Sequence, residues 1–176
     1  MDEQLTRAKE LFTSYDGSTF HMYRAGHLEE YKQYEIPKQL ELDWFNEMIA
    51  QYSRELSITD WKAVTRLSAI AANCQNERIL KNVLSFASRN VLSSDSIVKL
   101  MYAEGILEII HKIKSVLPDD RKLEAYKTTH MLLEDIINKP LIIDPGHELE
   151  QFNLRDKKSL NERAKRSMEK IVADLG

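Results

Sequence analysis

Five histidines are the main raw material for metal or proton chemistry in this chain. Glu108-Ile109-Ile110-His111 has the Glu-x-x-His spacing with which a helix projects a carboxylate and an imidazole from one face, as in bundles that hold paired iron ions. Such a centre needs a second motif and further inward glutamates, and the chain has no second copy. Glu108 and His111 also fall opposite the apolar face of their own helix, so a solvent-facing pair is expected and His111 is expected to bind no metal. His130 sits at the edge of an apolar stripe, which suits a half-buried, hydrogen-bonded side chain better than a ligand. His21, His27 and His147 fall in loops or near helix starts, with no His-x-x-x-His or His-Glu-x-x-His pattern to draw them together.

The single cysteine, Cys74, would need an exposed thiol beside a histidine to act as a nucleophile, and its helix phase points inward. No glycine-rich phosphate loop, Gly-x-Ser-x-Gly elbow or calcium loop occurs. No catalytic residue, cofactor or metal site is therefore expected. Two surfaces could still bind something. The last helix carries Arg163, Lys165, Arg166 and Lys170 on one face, which is either ordinary solvated surface or a contact for an acidic partner. The other is Tyr15, Phe20, His21, Tyr23, Arg24 and His27, an aromatic and polar mixture. Its ordinary role is to cap one end of the core, and its functional alternative is a ligand- or partner-binding loop.

These groups must be positioned by helices. The chain has 176 residues, 43% of them hydrophobic, enough for one good core and one domain over 1–176. Five glycines and four prolines, with long 3.6-period segments between them, point to an all-α fold. A net charge of -3 and a pI near 6.0 give no general attraction to nucleic acid or anionic membranes, and acids interleaved with the basic face weaken the case for nucleic acid further. No apolar run reaches the roughly 18 residues of a membrane span, and the polar start lacks the pattern of a signal peptide. One unpaired cysteine fits a reducing compartment, so a cytoplasmic protein is expected.

The most apolar stretch is 93–117, and the other segments are expected to pack around it. Ile97, Leu100 and Met101 share a face, whereas Ile106, Leu107, Ile109, Ile110, Ile113, Val116 and Leu117 centre almost opposite. A continuous helix would place Glu104, Glu108 and Ser115 on the face its first half buries, so a break at Gly105 is expected, capped upstream by Ser93 or Ser94. The rival reading is one straight helix sandwiched between two layers. Elsewhere, helical periodicity spans residues 2–13, about 37–56, 60–74, 77–89, 121–138 and 159–175, the last opening on a Ser159/Glu162 capping box. Residues 14–36 read as irregular followed by a short helix, and 139–158 as an extended arm with an Asp-Pro-Gly turn. About seven or eight helices in antiparallel hairpins are expected, as a bundle or a short stack.

Within residues 102–137, Glu104-Gly105, the apolar run 105–113, the acidic turn Pro118-Asp119-Asp120 and Ala125 in the next apolar helix resemble one armadillo or HEAT-type helical repeat. The resemblance covers about a fifth of the chain, and no second copy follows at the expected period. It implies a stack of helices that binds proteins or peptides on a concave face. The reading is thus a non-catalytic helical protein that binds another macromolecule. Its alternative is a small-molecule- or metal-binding helical protein, or an enzyme, using segment 15–34.

Overall fold

Each helix begins where local chemistry can satisfy its first free N–H groups. In the computed structural model, which describes residues 2–176, α1 (Glu3–Ser14) starts as Asp2 accepts from Gln4 N at 3.0 Å. It ends at Asp16 and Gly17, whose φ values of 53° and 74° turn the chain; a Cβ at Gly17 would collide with the Phe45 ring. Next come α2 (Thr19–Arg24), capped by Ser18, α3 (Leu28–Gln33), and α4 (Lys38–Arg54), with Pro37 just before it. Residues 19–24, expected to be irregular, form α2 because Ser18 supplies the cap. α5 (Lys62–Ala71) and α6 (Glu77–Asn90) follow, the latter capped by Asn76. Then come α7 (Ser96–Ile113), α8 (Asp119–Asn138) and α9 (Lys157–Leu175). Two expected caps are corrected. α7 starts on Asp95, not Ser93 or Ser94, and α9 on Asp156, which shares a capping box with Ser159.

The described residues form nine α-helices with no strand, a single all-α domain built around α7. α7 packs against α5, α6 and α8, and α9 lies on α8. The expected break at Gly105 does not occur: α7 is one helix through that residue, the sandwiched arrangement. Two facts remove the reason for a break. The first half of α7 is covered on nearly every side, with Ile97, Val98, Leu100, Tyr102 and Ala103 fully buried and Met101 partly so, and an apolar surface all round is accommodated there. The carboxylates of the second half are partnered, Glu104 by Arg163 and Glu108 by Ser68. Gly105 serves packing rather than flexibility, since a Cβ there would lie 3.1 Å from Val64 Cγ2 of α5.

An aromatic cluster joins the N-terminal helices to the rest: Phe12 packs against Tyr31, Trp44 and Phe45 at centroid distances of 6.2, 5.4 and 4.8 Å. After α8 the chain runs through an arm laid over the start of α7, where Ser96 N donates to Ile142 O at 2.9 Å and Ile142 N to Ser96 Oγ at 3.1 Å. A 3₁₀ turn (Leu149–Phe152) then leads into α9. At the end of α8, Lys157 donates to the Ile136 and Ile137 carbonyls, while Lys99, buried, pairs with Asp135 at 2.7 Å. No helix among the described residues is long and apolar enough to cross a membrane.

Candidate functional site

Burying α7 on most sides leaves one strip of its second half open. Glu104, Leu107, Glu108 and His111 stand at helical i, i+3, i+4 and i+7 spacing, and with Lys112 they line a groove of about 690 Å³. Arg163, Ser167, Lys170 and Asp174 of α9 line its other side. Arg163 donates to both Glu104 oxygens, at 2.6 and 2.9 Å, and to the Phe152 carbonyl at 3.0 Å. This two-pronged pair fixes α9 and the end of the arm to α7. Ser68 of α5 ties down the opposite edge: its Oγ donates to Glu108 at 2.9 Å, and Lys112 donates to the Ser68 carbonyl at 2.8 Å and to its Oγ at 3.1 Å. Asp174 accepts from Tyr126 OH at 2.9 Å; burial, and then this carboxylate, push the Tyr126 phenol up to about 12.

The basic face expected on the last helix therefore divides. Arg163 is a half-buried structural partner of Glu104, because the helix phase that docks Leu160 and Ala164 also turns it inward. Lys170 is exposed on the groove rim, and Lys165 and Arg166 are exposed outside the groove lining. His111 and Lys170 make no ion pair among the described residues. His111 is exposed, as its helix phase indicates, and it shares the groove with Glu108.

The aromatic segment also divides. Tyr15 OH and His27 Nδ1 meet at 2.5 Å, half-buried between α1 and α3. Phe20 and Tyr23 of α2 are 61% and 71% exposed, with Arg24 over the Phe20 ring and His21 at its edge. The six residues thus form an inward pair and an outward set rather than one pocket. Asp16, beside this segment, pairs with Arg66 of α5 at 3.0 Å; burial pushes its carboxyl up, against the pull of Arg66. Cys74 is buried, and burial raises its thiol, as expected for an inert core cysteine.

One constellation escaped the reading of the sequence. Asp95 is 1% exposed and saturated: Oδ1 accepts from Val98 N at 2.8 Å, and Oδ2 accepts from Asp144 N at 2.9 Å and meets His147 Nδ1 at 2.6 Å. Trp61 packs its ring edgewise on His147 at 5.1 Å, and Phe152 packs on Trp61 at 5.4 Å. Donor atoms of Asp95, Asp144 and His147 lie within 4.8 Å of one another. The local signal was the Asp144-Pro145-Gly146-His147 turn, which sets two ligand-type side chains three positions apart. Its partner Asp95 is 49 residues upstream of Asp144, too far in the chain for any local pattern to connect them.

No protein-family model, curated protein or solved structure matches this chain.

Proposed function

We propose that the chain is a non-catalytic helical protein that binds another macromolecule, a protein or peptide, along the groove between α7 and α9. The observation that carries this reading is the open strip of α7, whose polar groups are anchored by hydrogen bonds and an ion pair to α5 and α9. Glu104, Glu108 and Lys112 are held in place by neighbours, while Lys170 and His111 stand exposed around them. Pre-ordered polar groups lose little entropy on binding, and a rim of uncommitted charge steers and selects partners. The armadillo or HEAT resemblance of 102–137 likewise implies a stack of helices that binds a protein or peptide on a concave face.

The partner best suited to the basic rim is an acidic segment, and the net charge of -3 disfavours nucleic acid. Cytoplasmic residence belongs to the same reading, because the lone thiol is buried and unpaired. The rival ligand site at 15–34 gains less support, since Phe20, His21, Tyr23 and Arg24 spread outward while only Tyr15 and His27 pair inward.

The test is charge reversal of Lys170 on the groove rim to Glu, compared with separate reversal of Lys165 and Arg166 outside the groove lining, and with Arg163 left intact because it holds Glu104. Recovery of specific partners from native extract is compared with the unmodified protein at low and moderate salt, with thermal melts as control. Lost recovery at an unchanged melt is expected; equal recovery at both salt levels would reject the basic rim as a contact.

A further inference from the structure

We propose that His147 and Asp144 form a binding site for a divalent transition-metal ion of the zinc class, with Asp95 as the buried group that orients the imidazole. The site is separate from the groove and independent of what binds there.

Asp95 is an N-cap carboxylate whose oxygens take hydrogen bonds from Val98 N and Asp144 N, so it acts as an acceptor on both sides. At 2.6 Å from Oδ2, Nδ1 of His147 must be the donor. That leaves Nε2 with its lone pair free in the neutral ring. A carboxylate behind one imidazole nitrogen with the other left open is the arrangement that fixes the tautomer and orientation of metal-binding histidines. Here the ring is also held by Trp61, itself packed against Phe152, and its side chain keeps 13% of its surface accessible.

The second ligand comes from the same turn. Asp144 and His147 are its first and fourth residues, closed by His147 N donating to Asp144 O at 3.1 Å, with Gly146 at φ +89°. Two zinc-ligand bonds of about 2.1 Å span at most about 4.2 Å, and a ring nitrogen of His147 lies within 4.8 Å of an Asp144 carboxylate oxygen, so the two side chains have to draw together to share one ion. The charge is also right. Two carboxylates face one imidazole, and no lysine or arginine forms an ion pair with Asp95 or Asp144 among the described residues. That excess negative charge favours a cation over a phosphate-like anion, and the mixed nitrogen and oxygen donor set favours zinc, cobalt or nickel over magnesium or calcium. Water would fill the remaining positions.

Equilibrium dialysis of the chelator-treated full chain against zinc or cobalt tests this, with circular dichroism melts on every variant. One equivalent of metal is expected for the unmodified protein and for His111→Ala. His147→Ala should lose it, Asp144→Asn should bind at least tenfold more weakly, and Asp95→Asn should weaken binding about 10- to 100-fold through the lost orienting contact. Should a variant fail to fold, nickel titration of the unmodified protein followed by histidine NMR keeps the question open to decision, because His147 ring signals should broaden first. No stoichiometric binding at millimolar metal, binding unchanged in His147→Ala, or earlier broadening of another histidine would overturn the assignment.

Discussion

At Gly105 the absence of a side chain is what the packing uses. Glycine inside a helix costs about 1 kcal/mol relative to alanine, and here the return is the close approach of α5, whose Val64 occupies the space a side chain would take. Gly105→Leu should therefore destabilise the protein by about 1–3 kcal/mol through overpacking. Adding Val64→Ala should recover part of that loss, because the two positions compete for one volume. Urea denaturation of the single and double variants reads both effects; a Gly105→Leu protein as stable as the original would show that the contact is soft. Glu104 makes the complementary point. A carboxylate in the middle of the most apolar stretch is tolerated because Arg163, 59 residues away, meets both of its oxygens.

The same logic sets which face of α9 docks. Leu160 and Ala164 are fully buried and Ile171 nearly so, while Val172 and Leu175, on the same periodic pattern in the sequence, are 69% and 55% exposed. Val172 falls round from the docked arc of Leu160, Ala164 and Ile171, and Leu175 sits at the helix end, while Asp174 of the same turn still reaches Tyr126. Leu160→Ala should cost about 2–5 kcal/mol, as for other large-to-small core changes, whereas Val172→Ala should stay within about 0.5 kcal/mol. Thermal melts of the two variants would separate docking from exposed periodicity, and equal losses would contradict the difference in burial. Deleting residues 155–176 should lower the melt more than either, since it also removes Arg163 from Glu104 and Lys157 from the end of α8.

Across the whole molecule, several carboxylates make stability depend on acid. Burial alone would raise Asp135, but hydrogen bonds from Lys139 and Lys99 hold it below its ordinary 3.8. Glu30 is held down by Arg7, and Asp156 by the Ser159 backbone. A group whose folded pKa lies below its unfolded value adds stability above the unfolded value and loses it as pH falls through the folded one. Asp16, raised by burial, has the opposite sign. The three lowered groups outnumber it, so stability should fall as pH drops below about 4.5, first through Glu30 and, below about 3.8, through Asp135 and Asp156 as well. Lys99→Met should flatten that fall, because Asp135 then loses its buried partner. Denaturation midpoints of both proteins between neutral pH and pH 2 check this; parallel curves would remove Lys99 from the account.

Helix content, the outward phase of His111 and the central place of 93–117 were legible in the sequence because each depends on local periodicity; Cys74 is buried, but in the link after α5 (Lys62–Ala71) rather than on the inward face of a helix. A helical face repeats every 3.6 residues whatever surrounds it. Three features depended instead on residues distant in the chain. Whether α7 breaks at Gly105 turned on Val64, Ser68 and Arg163, which fill or satisfy what would otherwise be a void or a buried charge. Whether Arg163 is a surface cation turned on Glu104. The histidine that acquires a built environment is His147 rather than His111, because a turn on the arm meets a helix cap 49 residues from Asp144 and a tryptophan from yet another segment. Periodicity shows which side of a helix is apolar; only tertiary structure decides which polar side chains on the other side find partners.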